Sequence, residues 1–493
     1  MEPSKRFSLR SFLCLSLSTV LSVAFNIFIS CDDGESFTQS PDALLTMPFD
    51  TLRIDTAISG VATSTYSFVV RNKGKHGIKI VKASLDSDGA SGFQANVDGT
   101  NINDSYGYSI EVRAKDSITV YVKLKAKESG SDEAQPVEDC ISFLLESGVV
   151  QKIRLLGYSQ DVVTLNNVTI DCDTTLQSAK PVHVVGQLTV NAENTLTIAP
   201  GTTLLFSPAS ELVVEGTLRA MGTIGSPVVF RGDRLDYMFV NQPYDRISGQ
   251  WQGIVFKTSS YGNVLNHCDI HSASYGVKCD SSNVDAEKLK IENSVVHNMK
   301  GDCLTFVNSN VFVGNSQITN ALGNCVTLYG GTGHFVHCTI GNFFPFEGTR
   351  GRALYLYNSV NGRPLPLKSA KFENCIISGW SEDELFASFL DDDTEKIYQF
   401  RSCLLTTPKV DDSSNYPNCI FENSEDSIWG SGNFRKFNYD NLVFDFRLDS
   451  ISKARNAGDV AITRQFYPED IAGNARLDDD GKSDIGCYEF KSE

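Results

Sequence analysis

The chain has 493 residues, with 43 Lys plus Arg against 60 Asp plus Glu, a net charge of −17 and 41% apolar residues. That length exceeds one ordinary compact core, so several domains or a repeat body is expected. The acidic balance excludes nucleic acid and disfavours anionic lipid surfaces and anionic polysaccharides, and the apolar content excludes wholesale disorder. The 38 glycines and scarcity of helical periods point to β structure with many turns.

At the N-terminal end, Lys5, Arg6 and Arg10 precede an apolar run from Phe12 to Ile29, the pattern of a secretory signal. Phe28-Ile29-Ser30-Cys31 follows and resembles a bacterial lipobox, although Phe28 stands where Leu is usual. The resemblance implies that Cys31 is lipidated, since thioether formation needs a sulfur nucleophile. A plain signal peptide with an incidental cysteine is the alternative. The Asp32-Asp33 pair resembles the surface-export signals of Bacteroidetes lipoproteins. The expectation is a signal peptide over 1–30 and a flexible tether over 31–47. The protein would then be lipid-anchored in the cell envelope, at the outer membrane or cell surface, with the membrane a partner through that anchor.

From 48 to 163 short alternating strands are separated by turn clusters. Examples are Thr65 to Val70, Ile78 to Val81, Ser117 to Val122 and Val149 to Leu155, with turns at Asn72-Lys73-Gly74 and Ser129-Gly130-Ser131. This spacing predicts a β-sandwich. Phe49-Asp50-Thr51, Phe68 to Asn72 and Asp116-Ser117-Ile118 resemble the Ig-like domains that precede β-helices in Bacteroidetes lipoproteins. A spacer or docking role is expected, as no catalytic constellation appears there.

From Val182 onward, short strands end in Gly or Gly-Thr turns, with no room for helices between them. Six short words align: His267 to Ile270, Asn293 to Val296, Asn315 to Ile318, His337 to Ile340, Asn374 to Ile377 and Ser402 to Leu405. Their second positions are separated by 26, 22, 22, 37 and 28 residues. Two further strand registers recur within each period, so three strands per coil are predicted. Alternation turns Cys268, Ser294, Ser316, Cys338, Cys375 and Cys403 inward as a stack, and likewise Ile270, Val296, Ile318, Ile340, Ile377 and Leu405. It turns His271, His297 and Thr319 outward.

The segments "TLTIAPGT", "VVEGTLRAMGT" and "WQGIVF" resemble the opening coils of Bacteroidetes β-helix proteins of the pectin-lyase-like superfamily. The expected fold is therefore all-β, a right-handed parallel β-helix over 164–420 preceded by an Ig-like β-sandwich. Asp470 to Arg476 and Asp484 to Glu489 resemble the closing motif of such proteins, giving a C-terminal cap over 421–493.

No C-x-x-C pair exists. The Asp478-Asp479-Asp480-Gly481 run fails the EF-hand pattern, with Arg476 and Cys487 at ligand positions. No metal and no cofactor is expected. Stacked core thiols explain the cysteines best, with one bridge between Cys338 and Cys375 left open. No G-x-S-x-G, H-E-x-x-H or P-loop occurs, no carboxylate pair can be assigned, and the acidic ligand set of polysaccharide lyases is missing from adjacent rungs.

Three long insertions are expected at one corner of the coil: Arg231 to Gln250, Gly341 to Arg352, and Ser378 to about Gln399. They would wall a groove with His271, His297 and Thr319 on its floor. Tyr244, Phe346 and Trp380 would offer aromatic faces, and Arg350 and Arg352 would offer charge to a carboxylate. The first two walls would stand four rungs, roughly 19 Å, apart. Two function classes fit: non-catalytic binding of a polysaccharide or an envelope protein, or a polysaccharide lyase or glycoside hydrolase of this superfamily. The first is preferred, because a fold alone grants no activity.

Overall fold

The computed structural model describes residues 36–103, 109–239, 241–390, 393–477 and 481–492. Cys31 and the signal segment lie outside the described residues, as do Asp391, Asp392 and residues 478–480. The chain divides into two units. One holds the described residues up to Ile54 with Thr65–Lys127 and Pro136–Gly157; the other holds Asp55–Ser64, Glu128–Gln135 and the chain from Tyr158 onward.

In the first unit, Tyr66–Arg71, Ser117–Leu124, Phe93–Val97 and Thr100–Asn101 form an antiparallel sheet. A five-stranded sheet runs in the order Thr51–Ile58, Val150–Gln160, Gln135–Leu145, Ile78–Leu85, Ile110–Val112. Alternation buries one side of each strand, so Val120, Val122 and Leu124 of one sheet and Ile141, Phe143 and Leu155 of the other are buried. Gly157 marks the closeness of the sheets: a β-carbon there would stand 2.7 Å from the Leu124 side chain.

The second unit is a right-handed parallel β-helix, the hand expected of parallel crossovers. Each coil contributes to three ladders. The first runs through Thr203–Phe206, Val228–Gly232, Cys268–His271, Val295–Met299, Gln317–Ala321, Thr339–Asn342, Ile376–Gly379 and Leu404–Thr406. The second runs through Glu211–Val214, Gly253–Phe256, Val277–Cys279, Leu304–Val307, Val326–Tyr329, Leu354–Tyr357 and Leu385–Ser388. The third is a nine-stranded sheet from Thr174–Leu176 to Lys396–Arg401.

The coil interior is a continuous apolar column. Ile270, Val296, Ile318, Ile340, Ile377 and Leu405 stack in register and are fully buried, and Cys268, Ser294, Ser316, Cys338, Cys375 and Cys403 form the adjacent inward stack. All described cysteines are free thiols. The corner before each first-ladder strand from Cys268–His271 onward is held by a residue at positive φ: His267, Asn293, Asn315, His337, Asn374 and Ser402. Asparagine tolerates this left-handed backbone, and its amide serves the ladder too. Asn293 donates to the Asn266 side chain at 2.8 Å, and Asn315 to Asn293 at 2.8 Å.

One insertion differs from expectation. Leu385–Ser388 pairs with Leu354–Tyr357, so 378–399 is two corner loops around a second-ladder strand and not a single wall. A small hairpin, Ser359–Val360 with Arg363–Pro364, likewise occupies the opposite corner. Together these two corner extensions lengthen the widest repeat intervals.

The described residues beyond Glu422 lie against the outside of the coil. A hairpin of Phe434–Asn438 and Val443–Leu448 packs on the first ladder. There Phe434, Phe446, Leu448, Ala454 and Ile485 enclose the outward-facing Ile376 and Leu404 and the ring of Phe343 in a second apolar core. Further along, Asp459 accepts from Ala461 to cap the short helix Val460–Phe466. The chain then touches one coil after another. Thr463 bonds His337, Tyr467 bonds Glu292, Arg476 bonds Asn315, and the Cys487 amide returns to Thr339.

Candidate functional site

Period-two alternation gives the first ladder two outward rows. In one, Asp269, Val295, Gln317, Thr339, Ile376, Leu404 and Ile420 stand in register; in the other, His271, His297, Thr319, Gly341 and Ser378 do. The rows turn from polar to apolar as they approach the second core. Gly341 permits the change, since a β-carbon there would meet the Phe446 ring at 3.0 Å.

The polar half forms a cleft of about 220 Å³ lined by Asp245, Arg246, His297, Asn298, Gln317, Thr319, Asn320, Leu442, Val443, Phe444 and Phe446. The His271 and His297 rings stack at 4.9 Å, as expected of residues in register on adjacent rungs. His297 Nε2 lies 3.2 Å from Asp269 Oδ1. His271 Nδ1 lies 3.0 Å from the Ser272 hydroxyl, and its Nε2 is 3.6 Å from Asp245 Oδ1, which also meets Arg231 at 2.8 Å.

These neighbours push the protonation states apart. Burial lowers His271 and, with the charges of His297 and Arg231 on its side, outweighs the help of Asp269 and Asp245, leaving it at about 4. Burial raises Asp269, but His271, the His297 hydrogen bond and Arg231 overcome this and hold it at about 2. Burial also works against His297, yet the bond and charge of Asp269 win and raise it. Near neutrality an ionised Asp269 and a neutral His271 therefore stand behind His297, which lines the cleft and whose pKa is shifted upward.

A second pocket, of about 380 Å³, is lined by Phe344, Pro345, Glu347, Gly348, Arg350, Trp380, Ser381 and Tyr439. Its Trp380 is 48% exposed. Phe343 braces the indole from below at 6.0 Å, and Tyr439 lies 5.4 Å from it. Tyr439 belongs to the turn of the same C-terminal hairpin whose Leu442 to Phe446 side lines the histidine cleft.

The anticipated residues are thus distributed. His271, His297 and Thr319 do share one row; His271 is 4% exposed and Thr319 fully buried, its hydroxyl bonded by Gln317 at 3.0 Å. Trp380 and Arg350 reach the second pocket. Arg350, however, is committed to a buried pair with Glu384 at 2.7 Å, and Arg352 donates to the Asp383 backbone carbonyl. Their availability to a ligand carboxylate is corrected accordingly: both guanidiniums anchor the loop between the first and second ladders. Phe346 is 45% exposed and packs edge-on against Phe344, while Tyr244 lines neither pocket and carries the Arg234 guanidinium at 4.2 Å over its ring.

Asp269 and Asp245 join the histidines without having been singled out as their partners. Asp269 lies opposite Val295, as its register requires, but it reaches diagonally to His297. The signal was a D-x-H word on one rung with a histidine in register on the next.

No protein-family model and no curated protein matches this chain. Among solved structures it is similar to the catalytic unit of a thermostable GH87 α-1,3-glucanase from Streptomyces thermodiastaticus strain HF3-3. The match has 12% identity, covers 73% of each chain and has a TM-score of 0.27. It is also similar to the catalytic domain of a GH87 α-1,3-glucanase D1069A in complex with tetrasaccharides, at 9% identity over 72% of this chain and 90% of that one, with a TM-score of 0.24.

Proposed function

We propose that this chain is an exported, lipid-anchored envelope protein that binds a glycan on the outer face of its β-helix, at the pocket containing Trp380. The observation behind this reading is the half-exposed indole beside Tyr439, with the polar groups of Glu347 and Ser381 in the same pocket. A sugar ring has an apolar face of C–H groups and a rim of hydroxyls. Aromatic faces with a few fixed polar groups suit both. The net charge of −17 favours a neutral glycan over an anionic one. The antiparallel sandwich is taken as an Ig-like spacer, and the anchor as Cys31. A glycan array followed by calorimetry on the purified full chain tests the binding. Trp380→Ala that keeps wild-type affinity for the captured glycan rejects this pocket. A palmitate analogue that still labels Cys31→Ala in cells rejects the anchor.

The second reading is a glycoside hydrolase or polysaccharide lyase. It is favoured beside the neighbouring cleft, where a carboxylate and an imidazole, Asp269 and His297, stand 3.2 Å apart as a candidate base and acid. Release of reducing ends or unsaturated products from the bound glycan, abolished in Asp269→Asn while binding persists, would establish it. Absence of both products leaves the binding reading.

A further inference from the structure

The hydrogen bonds around His271 leave its Nε2 as an acceptor without a donor. The Ser272 hydroxyl donates its one proton to the Asp245 backbone carbonyl at 2.7 Å. It can therefore only accept from His271 Nδ1, 3.0 Å away, which fixes the proton of His271 on Nδ1. The lone pair is then on Nε2. That atom faces Asp245 Oδ1 at 3.6 Å, an acceptor set against an acceptor. Asp245 Oδ1 is buried and receives no well-aligned hydrogen bond, although Arg231 balances its charge.

Beside it, one ring nitrogen from each of His271 and His297 and one Asp269 oxygen all lie within 4.8 Å of one another. The rungs enforce this, since the two imidazoles stack at 23° between their planes and Asp269 is two residues before His271 on the same face. A tetrahedral zinc-class ion holds its donors at about 2.0–2.2 Å, which sets neighbouring donors roughly 3.3 Å apart. His297 and Asp269 are already 3.2 Å apart. The third donor has to close by at most roughly 1.5 Å.

We propose that Asp269, His271 and His297 form a binding site for a first-row transition-metal dication of the zinc class. Two imidazoles and one carboxylate suit such an ion, whereas calcium and magnesium demand oxygen donors throughout. Ser272 serves as the outer partner that orients the His271 ring and keeps its Nε2 free. Asp245 or water takes the remaining position, on the side of the cleft. The site is independent of glycan binding at Trp380, because no group there takes part, but it shares Asp269 and His297 with the hydrolase or lyase reading.

Cobalt(II) titrated into the purified, chelator-treated full chain tests it through visible absorption and calorimetry. The expected result is one equivalent per chain, with the intense bands of four- or five-coordinate nitrogen and oxygen ligation. Zinc(II) should displace it. Asp269→Asn, which preserves shape, should weaken binding at least about tenfold, and His271→Ala and His297→Ala should abolish it. His76→Ala and Trp380→Ala should keep the full equivalent. No uptake by the wild type, retention in Asp269→Asn and His297→Ala, or thiolate-to-cobalt charge-transfer bands would each overturn the proposal. Glycan binding by Trp380→Ala is read separately, so failure of either idea is visible alone.

Discussion

The outer face of the first ladder carries two surfaces on one backbone. In the earlier rungs it presents Asp269, His271, His297, Gln317 and Thr319; in the later ones it presents Ile376, Leu404 and Ile420. The apolar half is sealed under Phe434, Phe446 and Leu448 as a second core. The polar half retains a cleft beside the same hairpin. Backbone geometry is shared, so side-chain chemistry alone decides where the C-terminal chain is glued down and where it leaves room.

The largest effect is expected from unsealing the apolar half. Phe343→Ala removes a fully buried ring that meets Phe434, Phe437, Phe446 and Trp380. It should cost about 4–5 kcal/mol in denaturant unfolding and loosen both pockets. Next comes Arg350→Ala, which strands the buried Glu384 carboxylate. A loss of roughly 3 kcal/mol is expected, and Arg350→Lys should restore only part of it, as ammonium lacks the planar fork.

Acid should distinguish the polar half. His271 titrates at about 4, below the ordinary imidazole value. Between roughly pH 6.5 and 4 the unfolded chain takes a proton that the folded chain refuses, so stability falls as pH falls, by on the order of 1–3 kcal/mol. His297 acts oppositely. Its raised value adds stability that is complete below the ordinary imidazole pKa and is lost as pH rises through the folded one. Asp269, held at about 2, contributes above the ordinary carboxylate range and loses that contribution as pH falls towards 2. Unfolding midpoints at pH 7 and 5 should therefore differ less in His271→Asn than in the wild type. The smallest change in stability, under about 1 kcal/mol, is expected for the half-exposed Trp380→Ala, whose glycan affinity should nonetheless fall about tenfold.

The coil was legible because its signal is repetitive. The inward stack of Cys268, Ser294, Ser316, Cys338, Cys375 and Cys403, and the registered row of His271, His297 and Thr319, follow from period-two alternation and a constant coil. The fate of the arginines was not legible. Arg350 and Glu384 are brought together by a corner loop whose path no periodicity dictates. The Asp269–His297 pair runs diagonally between rungs, which straight register counting overlooks. The second core did leave a trace, since the outward row changes from Gln317 and Thr339 to Ile376 and Leu404. An outward row that turns apolar must be covered by something.

The segment from Asp459 to Tyr488 crosses several coils, from Asn374 through His337 and Glu292 and back to Gln317. A bare solenoid assembles by nearest-neighbour addition and can unravel rung by rung. This lashing joins rungs far apart in sequence, so they should melt together, at the expense of slower assembly through long-range closure. During synthesis the asparagine corners at 315 and 374 would wait, wet and unpartnered by it, until the lashing emerges. Truncation after residue 458 should turn one cooperative transition into a broad, stepwise one by calorimetry. A single sharp transition in the truncated chain would mean that the coils already act as one body.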